Sequence, residues 1–139
     1  MAKTPADALL RPYTITFETR LNYLYARVAA PVINRTIKLD YLAELLLKCA
    51  EVRCDQVLLE RDIPVMMSKH DIESTIDDVL RASENVRIAF LNPHKPIEKD
   101  LRRFVNLGNR RGGKFRYFAD HEDAEKWLRL PKSKSGPVE

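Results

Sequence analysis

The residues best equipped for chemistry are Glu60-Arg61-Asp62, which directly follow the apolar run Val57-Leu58-Leu59. Two carboxylates and a guanidinium at the exit of a strand could bind a polar ligand or move a proton, or could simply pair with one another in a solvated loop. The next five residues, Ile63, Pro64, Val65, Met66 and Met67, are apolar. Loops usually run over the surface, so an apolar loop needs a use. Adaptable methionines could line an apolar pocket, join an interface or fold over the core. Met66 and Met67 are expected to be partly exposed and to form the main contact surface. Ser68 follows, and His94 lies in the loop after the next strand. Ligands of parallel sheets favour the carboxyl ends of the strands. Glu60, Arg61, Asp62, Ile63, Val65, Met66, Met67, Ser68 and His94 are therefore the expected ligand or partner site.

The other reactive types are dispersed. Cys49 falls on the apolar face of a helix and is expected to be a small core hydrophobe. Cys54 has no histidine nearby in sequence, so neither thiol forms a nucleophilic pair. Two cysteines make neither a disulfide framework nor a four-ligand metal site, and they suit a reducing cytoplasm. His70, His94 and His121 lack metal-ligand spacing and are expected to be solvated. Asp120, Glu122 and Asp123 occupy the first turn of a helix, where acids complement the dipole. The glycine signatures of dinucleotide sites, phosphate loops and nucleophile elbows do not occur. No catalytic residue, cofactor or metal is expected.

The whole chain bounds these readings. Its 139 residues are 45% hydrophobic and 32% charged, which suits one ordinary globular domain. No apolar run approaches the ~20 residues of a membrane span, and the N-terminus lacks the apolar core of a secretory signal. The formal net charge is +4, but the charge is unevenly spread. Asp71 to Glu84 carries five acids and one base, whereas Leu101 to Ala119 carries six bases and no acid. Arg102, Arg103, Arg110, Arg111, Lys114 and Arg116 could meet phosphates. No aromatic stacking pattern interleaves with them, so a solvated helix face is expected and nucleic acid is not an expected partner.

Positioning falls to alternating strands and helices. Tyr13, Ile15 and Phe17 alternate with threonines, and Leu24, Ala26 and Val28 alternate with Tyr23, Tyr25 and Arg27. Both read as half-buried strands joined in a hairpin. Leu39, Leu42, Leu46, Cys49 and Ala50 mark a helix over roughly 37–52, capped by Asn34 or Thr36. Val57–Leu59 is a short strand covered on both faces. Ser68 caps a helix with Ile72, Ile76, Val79 and Leu80 on one face. Val86–Leu91 is the fourth strand. Ile97, Leu101, Phe104, Val105 and Gly108 mark a third helix, which Gly112-Gly113 stops. Phe115–Phe118 is the last strand, and Asp120 caps a short helix with Ala124, Trp127 and Leu128 inward. This order predicts an α/β fold: a five-stranded, mostly parallel sheet with an N-terminal antiparallel hairpin and four helices. Residues 1–11 read as a flexible lead-in, 12–130 as one domain and 131–139 as a disordered tail.

The hairpin, the three α/β units and the closing Phe118-Ala119-Asp120-His121-Glu122-Asp123-Ala124-Glu125-Lys126-Trp127-Leu128 resemble the STAS-like, or SpoIIAA-like, group of small bacterial proteins. The resemblance covers roughly residues 12–130 and implies a β-α superhelix. It also implies a regulatory protein-binding role rather than catalysis, or carriage of a small apolar or lipid-like ligand as in Sec14-like relatives. Anti-sigma-factor antagonists of the group carry an Asp-Ser pair, then glycine, and a partner kinase phosphorylates the serine. Ser68 matches that serine. Met67 stands where the aspartate belongs, and no glycine follows. A phosphate at a helix N-terminus is physically welcome; an N-cap is the alternative role for Ser68.

Overall fold

The computed structural model describes residues 11–130. The expected tail, and all of the lead-in except Arg11, lie outside the described residues. The elements are β1 (Thr14–Thr19), β2 (Leu24–Ala29), α1 (Arg35–Val52), β3 (Gln56–Asp62), α2 (Lys69–Ala82), β4 (Arg87–Leu91), a 3₁₀ turn (Lys95–Ile97), α3 (Glu98–Arg110), β5 (Phe115–Phe118) and α4 (His121–Arg129). The strands lie in sequence order, with β1 at one edge. β1 and β2 are antiparallel, and β2 to β5 are parallel.

Crossovers between adjacent parallel strands, all of one hand, stack their helices on one face. Accordingly α1, α2 and α3 cover one side of the sheet. Leu24, Ala26 and Val28 of β2, Val57 and Leu59 of β3, Ile88 and Phe90 of β4 and Phe115 of β5 share a core with Tyr41, Leu45, Ile76 and Phe104 of those helices. The period-two alternation sends the intervening residues to the other face. There Leu58, Ala89 and Leu91 pack against Ala124, Trp127 and Leu128 of α4. This helix packs on β3, β4 and β5, so the outer face of the hairpin keeps polar residues.

Local chemistry sets the boundaries. Asn34 accepts a hydrogen bond from the Ile37 amide at 2.9 Å, which selects it over Thr36 as the cap of α1. Asp120 accepts from the Glu122 and Asp123 amides. Gly112, at φ +98°, follows α3 in a conformation that L side chains rarely adopt. Gly108 answers a different need: a Cβ there would stand 2.8 Å from the Phe115 ring, so α3 approaches β5 through a missing side chain. Asn109 ties the same junction by accepting from the Phe115 amide and donating to its carbonyl.

Two expectations are corrected. The buried face of α1 is Ile37, Lys38, Tyr41, Leu42, Leu45 and Cys49. Leu39 and Leu46 are only half-buried, Ala50 is exposed, and Leu47 is 72% exposed. Leucines on several sides of this helix blur its periodicity. In addition, β3 runs on through Asp62, so Glu60-Arg61-Asp62 is strand rather than exit loop.

Candidate functional site

Alternation along β3 divides the expected trio. Glu60 and Asp62 face the outer side, and Arg61 faces the helices. On the outer side Glu60 accepts from the Tyr25 hydroxyl at 2.6 Å. Burial first, and then Glu60, push the Tyr25 phenol up to about 12. Arg27, register partner of Glu60, lies 3.6 Å from its carboxylate and hydrogen-bonds Asp62. The other Asp62 oxygen is 2.7 Å from His94 Nε2. Buried Asn92 holds His94 in place: its side chain accepts from the His94 amide at 2.9 Å and donates to the His94 carbonyl at 2.8 Å. Tyr25 is also stacked under Arg20 at 4.4 Å, and Arg20 reaches His121 at 3.1 Å. His121 in turn contacts Glu125.

Three of the expected residues, Glu60, Asp62 and His94, are thus brought together. Tyr25 and Arg27 were not foreseen; the signal was the polar phase of β2, which becomes informative only once its register with β3 is known. His94 and His121 are half-buried in polar contacts rather than solvated, which corrects that expectation; His70 is exposed. The Asp62–His94 pair can orient an imidazole, but no hydroxyl or thiol bonds to His94 among the described residues. Among the same residues, no three His, Cys, Asp or Glu side chains could hold a metal. Burial pushes the Cys49 thiol up to about 11, with Cys54 and Asp55 adding to the rise, which weakens it as a nucleophile.

The apolar loop turns inward further than expected. Ile63 is fully buried and Met67 is 7% exposed, which corrects its assignment to an open contact surface; Met66 is half-buried, and Pro64 and Val65 are exposed. Arg61 causes the inward turn. Its guanidinium donates to the carbonyls of Ile63 at 2.9 Å and Val65 at 2.8 Å. Met67 then reaches the floor of a groove of about 450 Å³ between α2 and α3, beside Ile72, Phe104 and Leu107. The rim carries Lys69, Glu73, Asp100, Arg103 and Arg110. Asp100 and Arg103 pair at 3.6 Å. Other members of the basic cluster are engaged too: Arg102 with Glu98 and over the Tyr117 ring, and Arg111 with Asp77.

Ser68 opens α2 and accepts a hydrogen bond from the Asp71 amide at 3.1 Å. Ser68→Ala is therefore expected to cost ~1 kcal/mol in a chemical-denaturation measurement, and Ser68→Asp to be neutral within a few tenths, since aspartate caps as well as serine. An unchanged stability in the alanine variant would mean that the cap contributes nothing.

No family model and no curated protein matches the sequence. Among solved structures, the chain is similar to the crystal structure of an uncharacterised protein from Shewanella loihica PV-4, of the DUF3478 family and with a SpoIIAA-like fold. The two share 17% identity over 92% of this chain and 98% of that one, with a TM-score of 0.52. Among the described residues no helix is long and apolar enough to cross a membrane. Five strands in sequence order, a leading antiparallel hairpin and four helices make this a SpoIIAA-like fold.

Proposed function

We propose that the chain is a non-catalytic regulatory module of the STAS-like kind, which docks an amphipathic helix of a protein partner between α2 and α3. The groove between those helices carries the reading. Its floor of Met67, Ile72, Phe104 and Leu107 is apolar, and its rim is charged. Lys69, Glu73 and Arg110 on that rim have no ion-pair partner among the described residues. Two unpaired cations against one unpaired acid favour a helix whose polar flanks are mainly acidic. A third helix laid along two others buries its apolar stripe while its flanking charges meet the rim. The groove opens to solvent on one side, which suits a partner's surface better than a carried small molecule, since a carrier site encloses most of its ligand. Ser68 stands one residue from Met67 and from Lys69, so a change at the start of α2 would act on the same surface.

The test places a photo-crosslinking residue at Glu73 and, as a control, at Leu47 on the outer side of α1. In extract of the source cell, Glu73 is expected to give a discrete protein adduct that Leu47 does not. Ile72→Arg or Leu107→Arg should abolish it while leaving the far-ultraviolet dichroism unchanged. An adduct that survives both arginine variants sinks the groove as the docking surface. A lipid mass retained in native mass spectrometry, with no protein adduct, would turn the reading toward carriage of an apolar ligand.

A further inference from the structure

Beneath the Ile63–Met67 loop, on the helix side of the sheet, lie two buried cations. Lys38 is 4% exposed and Arg61 is 3% exposed. Neither takes part in an ion pair among the described residues. Lys38 Nζ makes one hydrogen bond, to the Tyr41 hydroxyl at 2.9 Å, although an ammonium has three donors. The rings of Tyr41, Phe104 and Phe90 also lie near it, at 5.0, 5.0 and 5.5 Å. Arg61 donates to two neutral carbonyls and also meets the Tyr41 hydroxyl. Burying charges without counter-charges is costly, and aromatic faces offset only part of that cost. The field at the shared hydroxyl is correspondingly positive. Burial alone would raise the Tyr41 phenol, yet Lys38 and Arg61 together bring it below its ordinary value. Lys38 also stands in the first turn of α1, a turn without an acid, where the helix dipole adds further positive potential.

We propose that Lys38, Arg61 and the Tyr41 hydroxyl form a closed binding site for a small oxyanion, a carboxylate or a phosphate group, covered by the Ile63–Met67 loop. The anion would take the two idle donors of Lys38 and compete with the Ile63 and Val65 carbonyls for Arg61. Exchanging neutral acceptors for charged ones strengthens each bond. Release of those carbonyls would let the loop move as the site fills. The site lies at the carboxyl ends of β2 and β3, where parallel sheets hold ligands; it adjoins the groove between α2 and α3 through Met67 and Phe104 but rests on different residues, Lys38, Tyr41 and Arg61.

Inorganic phosphate and acetate, titrated separately at constant ionic strength in chloride, test this by NMR. The expected result is saturable shifts confined to the Tyr41 and Arg61 side chains and the amides of Ile63, Val65, Met66 and Met67. The tighter of the two probes identifies the preferred head group. Lys38→Met keeps all but the last atom of the side chain's length and removes its charge, and it should weaken binding at least about tenfold. Should that variant not fold, amine labelling of the wild-type protein replaces it: the bound probe should slow modification of Lys38 and leave exposed Lys69 unchanged. The proposal is overturned by shifts that do not saturate or that fall elsewhere, by equal binding in Lys38→Met, or by unaltered labelling of Lys38.

Discussion

Trp127→Ala is expected to destabilise the protein by about 3–5 kcal/mol, a fall in melting temperature on the order of 10 °C. The indole is 5% exposed between α4 and the sheet. The Phe118 ring lies 5.8 Å away and the Arg87 guanidinium covers it at 4.2 Å. A nine-residue helix has little stability of its own in water, so α4 stays in place through Ala124, Trp127 and Leu128. Arg87 adds to the attachment by donating to the Trp127 carbonyl at 2.9 Å. The indole N–H is buried without a partner. Trp127→Phe removes that idle donor and keeps most of the ring, so it should cost less than half as much. Chemical denaturation of the two variants decides the point. A loss near 1 kcal/mol for the alanine variant would mean that α4 contributes little to the fold.

That dependence shows what was legible in the sequence. The inward stripe Ala124-Trp127-Leu128 and the Asp120 cap are local patterns, and both were readable one residue at a time. So was Ser68, because a cap needs a polar oxygen three residues before the amide that it satisfies; for α1 the sequence left Asn34 and Thr36 open, and the bond from the Ile37 amide selects Asn34. The five strands followed from period-two alternation and from continuous apolar runs. The end of β3 was not legible in the same way. Three charged residues in succession resemble a loop, and they fit a strand here because each finds polar partners: Glu60 and Asp62 meet Tyr25, Arg27 and His94 on the outer side, and Arg61 bonds the Ile63 and Val65 carbonyls on the helix side. The outer partners lie on other elements, more than thirty residues from the β3 residues they meet.

The polar cluster on the outer face was half legible for a related reason. Glu60, Asp62 and His94 could be grouped because they belong to the carboxyl ends of adjacent strands. Tyr25 and Arg27 come from the middle of β2, and only the pairing of Arg27 with Glu60 in register places them there. Lys38 and Tyr41 were hidden by the leucines of α1. A lysine among apolar residues normally lies on the solvent side, whereas here the stripe that faces the sheet passes through it. Met67 was misplaced because the pull on its loop is exerted by Arg61, whose direction is fixed by the strand it sits in.

Phe90→Ala carries the second large expected effect, about 3–5 kcal/mol, and its consequences reach beyond stability. Phe90 is 1% exposed on β4, where it faces the helices. It meets Phe104 and Phe115 edge-on, with centroids 6.0 and 5.4 Å away. Its removal deletes both contacts and opens a cavity against the Lys38 ammonium. A cavity walled only by carbon stays dry, whereas one that presents idle donors can take in water. The Phe90 cavity should therefore hydrate, and its cost should fall toward the lower end of the range. Phe115→Ala empties space beside Gly108 and Phe104, away from the ammonium, and should cost more despite removing the same ring. Water at Lys38 should also speed its modification by an amine reagent in the folded Phe90→Ala protein, and Phe115→Ala should not. Denaturation together with labelling of Lys38 measures both effects. An equal loss of stability in the two variants, with Lys38 equally protected, would show that the ammonium has no unmet donors toward that ring.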